Sequence, residues 1–391
     1  MSELASEPMS PGIDLARVRA DTPAAAALVH LNNAGSSLPP RPVLDAVVGH
    51  LEREAAIGGY EAAAEAAGGV TDTYAALAEL VGGKPEEIAY LESATRAWTQ
   101  VAHGLAWRPG DRALVSVSEY ASNVLGLLQL VERHGITVEV VPDDAHGQLD
   151  VDALAGLLDE RVRLVAITHA PTQGGLVNPA EAIGATLRAA GSDALYLLDA
   201  CQSVGQLDVD VRRIGCHAVS ATGRKFLRGP RGTGFLWIAA EVLDRVTPPA
   251  IDLGAATWVA DDRYELVPGA KRYECWERSV AGVVGLGVAA RYALALGLPA
   301  IEARVGALAE GLRSRLRELP GVEVRDRGVR RSGICTFTVE GVAAADIAAG
   351  LRARQVNVNV SVVTSARFDL AGRGLTELVR ASVHYYLTDD D

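Results

Sequence analysis

The chain has 391 residues, 49% of them hydrophobic, a net charge of −12 and a pI near 5.2. Such a chain can bury a large core and form two domains, which excludes a disordered protein. The acidic balance speaks against nucleic acid and anionic membranes as partners, because both need a basic footprint.

No apolar run is long enough to span a bilayer. Met1–Pro11 lacks the basic-then-apolar pattern of a leader, so a cytoplasmic location is expected. The four cysteines, at 201, 216, 275 and 335, form no Cys-x-x-Cys pair and match no Cys/His zinc spacing. They read as reduced packing thiols, with no metal site.

Residues 1–28 are weakly patterned and read as an N-terminal arm with a short helix, packing with the small domain. Val29 to Pro40 is a turn-rich loop, and Pro39-Pro40 opens a helix. Gly58-Gly59 interrupts that helix, and a second one covers 70–81. Strands are predicted over 87–92, 112–117, 136–141 and 163–168, alternating with helices. Ser93 caps one of these helices and Asp150 another. Ala194 to Asp199 is a buried strand that delivers a carboxylate at its tip. His217 to Ala221 is another, followed by Thr222-Gly-Arg224-Lys225. Gly229 to Gly234 turns into the strand 235–238. This alternation implies a largely parallel sheet covered on both faces, with ligands beyond the strand C-termini. From about 290 onward a long helix and short strands (322–325, 334–339, 356–362, and one beginning at 378) indicate a smaller α+β domain.

The chemistry centres on Asp199 and Lys225. A lysine amine and a carboxylate at two strand ends are what pyridoxal phosphate needs, one for its aldehyde and one for its pyridine nitrogen. Ala94 and Thr95, where a strand turns into a helix, offer free N–H groups as a phosphate seat. Thr222 and Arg224 would add a hydroxyl and a cation to it. Tyr120 is placed to stack on the ring, and Thr172 and Gln202 to bond its phenolic oxygen. Arg380, an arginine in an apolar strand, suits a substrate carboxylate. The Gly229–Gly234 glycines precede a strand rather than a helix, so a dinucleotide fingerprint is rejected.

Asn33-Ala-Gly, Ser93-Ala-Thr95, Ser118-Glu-Tyr120-Ala-Ser-Asn123, Asp199-Ala-Cys-Gln202, Thr222-Gly-Arg-Lys225 and Val379-Arg380-Ala-Ser-Val-His-Tyr-Tyr resemble, in order, the class V aminotransferases. These are fold-type I pyridoxal phosphate enzymes that include cysteine desulfurases, C–S lyase-like proteins and isopenicillin N epimerase-like proteins. The resemblance implies an α/β large domain over 29–289 with a mostly parallel seven-stranded sheet. It implies a small C-terminal domain over 290–391. It also implies a homodimer with shared active sites and an amino-acid-like small-molecule substrate. Lys225 would be the Schiff-base lysine, Asp199 the pyridinium partner and Arg380 the carboxylate anchor, with Asn33 reaching the same carboxylate.

The chain departs from the desulfurase pattern in four places. Tyr120 stands where desulfurases carry His, and Thr172 where they carry Asn. Residues 356–374 contain no cysteine, where desulfurases hold a nucleophilic one. Cys275 to Ser279 replaces a loop whose threonine would touch the partner's phosphate. These departures lead to an expectation of a β-eliminating C–S lyase without a desulfurase-type cysteine. The alternatives are an aminotransferase, a decarboxylating deaminase or an epimerase. A non-catalytic binding protein on the same scaffold is the reading from another class.

Overall fold

A computed structural model describes residues 12–391. The portion of the expected N-terminal arm before residue 12 lies outside the described residues. The rest of the arm forms the helix Leu15–Ala20, capped by the Asp14 side chain. It is tied to the other end of the chain: Arg19 donates to the Tyr386 carbonyl at 3.1 Å and to Asp391 at 2.6 Å.

Seven strands form the central sheet, in the spatial order Ile88–Leu91, Gly234–Ile238, Ala218–Thr222, Leu195–Asp199, Val162–Thr168, Arg112–Ser116, Thr137–Val141. Only Gly234–Ile238 runs against the other six. The expected mostly parallel seven-stranded sheet is therefore what forms. Every residue of Leu195–Asp199 and Ala218–Thr222 is buried, as a sheet covered on both faces requires. The helix Val280–Leu296 packs on Arg41–Ile57 and Ala67–Val81. Among the described residues no single helix is long and apolar enough to cross a membrane.

The second sheet is antiparallel, ordered Val322–Val324, Ile334–Val339, Glu377–Ser382, Asn359–Val362. Arg313 braces it with a buried ion pair to Asp326 (2.6 Å) and bonds to the carbonyls of Ser332 and Ile334. The single strand expected over 356–362 is divided at Val358. Val356–Asn357 pairs with Val29–His30, whereas Asn359–Val362 pairs with the Arg380 strand. Two partners on different sides compete for one run, and the chain bends between them. The hairpin Ala256–Ala260/Arg263–Leu266 was not legible in the sequence, because most of its residues are exposed and lack a buried-face alternation.

Two glycines let backbone approach backbone at the sheet's C-terminal edge. A Cβ on Gly234 would lie 2.6 Å from the Ala221 carbonyl oxygen and 3.0 Å from the Ala94 nitrogen. Gly205 (φ +92°) would place a Cβ 2.4 Å from the Leu227 nitrogen, just past Lys225. Gly205 thus presses the loop after Asp199 against the turn that carries Lys225. Gly205→Ala should lower unfolding free energy by about 2 kcal/mol or more, through both clash and left-handed backbone. Urea denaturation reads this, and an unchanged midpoint would mean the contact relaxes freely.

Candidate active site

Five loops leave the same edge of the central sheet, following Leu91, Ser116, Thr168, Asp199 and Thr222. Parallel strands share one direction, so their tips converge. Asp199 pairs with Ser220 in register, and Lys225 follows the same strand as Ser220 by five residues. A cavity of about 250 Å³ opens there, lined by Ala34, Gly35, Tyr120, Thr172, Gln202, Arg224, Lys225, Asn359–Val362, Ser365 and Arg380.

Lys225 is buried, and its amine sits 6.0 Å from the centre of the Tyr120 ring. Burial lowers its pKa, Arg224 and Arg380 add to that, and Asp199 and Cys201 oppose it. Burial thus shifts this amine toward its neutral, nucleophilic form relative to a lysine in water. Asp199 is also buried. One of its oxygens accepts the Cys201 N–H at 2.9 Å, the other the Asn123 side-chain amide at 2.8 Å.

Gln202 donates to the Ala34 carbonyl at 3.0 Å, which leaves its buried Oε1 without a partner. Thr172 lines the same cavity and donates to Gln173 at 3.0 Å. Thr222 is buried and donates to the Thr233 carbonyl at 3.3 Å. Ala94 starts the helix Ala94–Ala102, with Ser93 as its cap and Thr95 exposed beside it. The Gly234 approach brings this helix start next to the strand ending at Thr222. Free helical N–H groups beside a hydroxyl make an anion seat.

Arg380 reaches the cavity from the smaller sheet. It is buried, its Nη2 donates to Asn32 at 3.3 Å, and its Nε has no partner. It forms no ion pair within 4.0 Å among the described residues, and burial draws its pKa down to about 10. A buried guanidinium left without a carboxylate is costly unless a ligand supplies one.

Two expected site residues are placed differently. Asn33 is fully buried and bonded on both sides of its amide. It donates to the carbonyls of His30 (2.9 Å) and Ser382 (2.7 Å) and accepts from Tyr386 (2.7 Å) and Ser37 (2.9 Å). With its bonding capacity spent on the fold, it has none for a substrate carboxylate; its neighbour Asn32 is the residue that touches Arg380. Arg224 turns its guanidinium to the Gly35 carbonyl, on the wall it shares with Arg380, rather than showing a bond to the helix start. The sequence reading missed Glu119 and Asn123, which stand behind Asp199. Their signal was present in the Ser118–Asn123 run, but a carboxylate and an amide opening a helix resemble ordinary capping residues.

The pKa of each thiol near the site lies above the ordinary cysteine value. Burial pushes Cys201 up to about 12, and it raises the exposed Cys275 as well. The residues lining the cavity, together with Asp199 and the Ala94 helix start, which lie behind that lining, fit pyridoxal phosphate. A buried amine suits its aldehyde, a bonded carboxylate its ring nitrogen, the unpartnered Gln202 Oε1 a ring substituent, and the helix start its phosphate.

The family model for aminotransferase class-V matches residues 29–391. A probable cysteine desulfurase of Methanothermobacter thermautotrophicus is 30% identical over 383 residues, covering 96% of this chain and 94% of its own. A cysteine desulfurase of Dickeya dadantii is 30% identical, over 96% and 93%. The apo cysteine desulfurase of Thermococcus onnurineus NA1 superimposes with a TM-score of 0.87 at 27% identity, over 97% and 95% of the two chains. These relatives overturn the expectation of a β-eliminating lyase set apart from the desulfurases by its missing cysteine. The lack of a cysteine in residues 356–374 does not remove the chain from their company. By this match and by the lysine and carboxylate at adjoining strand ends, the chain is an enzyme of the aminotransferase class-V family, whose cofactor is pyridoxal phosphate.

Proposed function

We propose that this enzyme removes the sulfur of L-cysteine or a close analogue, the chemistry named for its relatives, leaving alanine and passing the sulfur to an acceptor thiol as a persulfide. One observation carries the substrate class: a buried guanidinium without a carboxylate shares a small cavity with a buried amine. An α-amino acid supplies the missing carboxylate to Arg380 and sets its α-carbon toward Lys225.

Bound pyridoxal phosphate supplies the electron sink for this chemistry. Lys225 would hold the aldehyde end and would take the substrate's α-proton, a role its lowered pKa suits. Arg380 orients the substrate by a bidentate grip on its carboxylate. Asp199 would stabilise positive charge on the ring nitrogen. Tyr120 would stack on the ring, Gln202 and Thr172 would bond its oxygen, and Ala94, Thr95 and Thr222 would seat the phosphate. The strand Asn359–Val362 lines the same cavity.

We also infer a cytoplasmic homodimer that shares its active sites. Ile251, Leu253, Trp258, Tyr264 and Trp276 are exposed along one stretch of chain, an apolar surface that suits a second copy. Thr95, at the phosphate seat, is exposed in the single chain. The four free cysteines accord with a reducing compartment.

With L-cysteine as substrate and excess dithiothreitol, which accepts the sulfur as a persulfide and releases it as sulfide by closing to its own disulfide, alanine and sulfide should form in equal amounts. Pyruvate and ammonia without alanine would sink the reading. Lys225→Ala should abolish turnover, and residual activity at the wild-type rate would show that another amine serves. Arg380→Lys should raise KM roughly tenfold or more with a smaller change in kcat, because the planar fork is lost. Sedimentation should report twice the 41.0 kDa chain mass; a monomer at micromolar concentration would refute the shared site.

A further inference from the structure

Glu119 is buried at 2% exposure and makes no ion pair within 4.0 Å among the described residues. Five donors surround its carboxylate: the Thr168 N–H (3.0 Å), the Tyr120 N–H (3.2 Å), the Asn123 amide (2.8 Å), and the hydroxyls of Thr168 and Ser116. A buried carboxylate with no cation is an expensive way to join a loop to a strand, since a neutral side chain would serve. Its placement suggests a different purpose.

Asn123 has two amide hydrogens. One goes to Glu119 and the other to Asp199, each at 2.8 Å. Were the amide reversed, its carbonyl oxygen would face both carboxylates. The two acids therefore dictate its orientation, and Asn123 always presents a donor to Asp199. The Cys201 N–H holds the other Asp199 oxygen at 2.9 Å. Asp199 is thus clamped from two directions, and one direction of the clamp originates at Glu119.

We infer that Glu119 is a positioning residue which, through the Asn123 amide, aims Asp199 at the cofactor's ring nitrogen and adds a second negative charge behind it. Burial raises the Glu119 pKa to about 7, with the neighbouring Asp199 adding to the rise and the Thr168 and Asn123 bonds opposing it. A positive ring nitrogen held by Asp199 would draw Glu119 toward its charged form. The three side chains then act as one polar chain, in which the outer acid tunes the inner one much as outer-shell partners tune metal ligands.

The test reads cofactor binding and needs no substrate, so its failure leaves sulfur removal standing and the converse also holds. Full-length apoenzyme is reconstituted with pyridoxal phosphate labelled with 15N at the ring nitrogen. Glu119→Gln keeps the shape and removes the charge. Asn123→Ala cuts the link and leaves Glu119 four of its five donors. Each should weaken cofactor affinity roughly tenfold, the scale of one hydrogen bond to a charged group. Each should also move the 15N signal toward the unprotonated position, and the double variant should be no worse than the weaker single one. A lowered melting temperature with wild-type affinity and 15N shift would make Glu119 merely structural and overturn the inference. Fully additive losses would overturn it too. If Glu119→Gln does not fold, Asn123→Ala decides alone: a wild-type affinity and shift in that variant rejects the inference.

Discussion

The candidate active site depends on the pairing of two buried parallel strands that place Asp199 opposite Ser220, with Lys225 just beyond. Parallel pairing sends both chain directions the same way, so an acid and an amine emerge at one edge without any long side-chain reach. Gly205 then lets the loop after the acid press on the backbone after the amine. A shift of one residue in this register would turn Asp199 to the opposite face of the sheet and separate the pair.

Arg380 poses the complementary problem. It belongs to a different sheet, more than 150 residues from Lys225 in sequence, and reaches the cavity because the Glu377–Ser382 strand is central in that sheet. Its guanidinium is buried beside Asn32 with no acid to neutralise it. Such an arrangement costs the fold stability and leaves a place that a carboxylate ligand would complete, which is the expected exchange at a functional site. The same logic applies to Lys225, whose buried amine lies near two arginines.

The N-terminal arm and the chain end brace this geometry from behind. Arg228 is buried in a left-handed conformation (φ 62°) three residues after Lys225. It donates to Thr22, to the Leu38 carbonyl and to Tyr385, and lies 4.6 Å from the centre of the Tyr386 ring. Tyr386 in turn bonds Asn33 at 2.7 Å. The lysine turn is thereby tied to segments from both ends of the chain. That web explains why Asn33, for all its motif context, is a structural residue here.

Much of the chain was readable because its strands are buried on both faces and end in polar loops, so composition alone marks them. The run Ala194 to Asp199, the lysine turn, the capped helix after Ser93 and the seven-stranded sheet all followed from such local signals and from the resemblance they support. Pairing partners, side-chain direction and hydrogen-bond saturation carry no local signature. Hence the division of residues 356–362 between two sheets, the exposed hairpin after Ala256 and the turning of Arg224 toward Gly35 came only with the folded chain. The saturation of Asn33 and the Glu119–Asn123–Asp199 chain came the same way. By itself the sequence determined which groups could do chemistry; tertiary structure decided which of them remain free to do it, because only packing reveals whether a polar atom already has a partner.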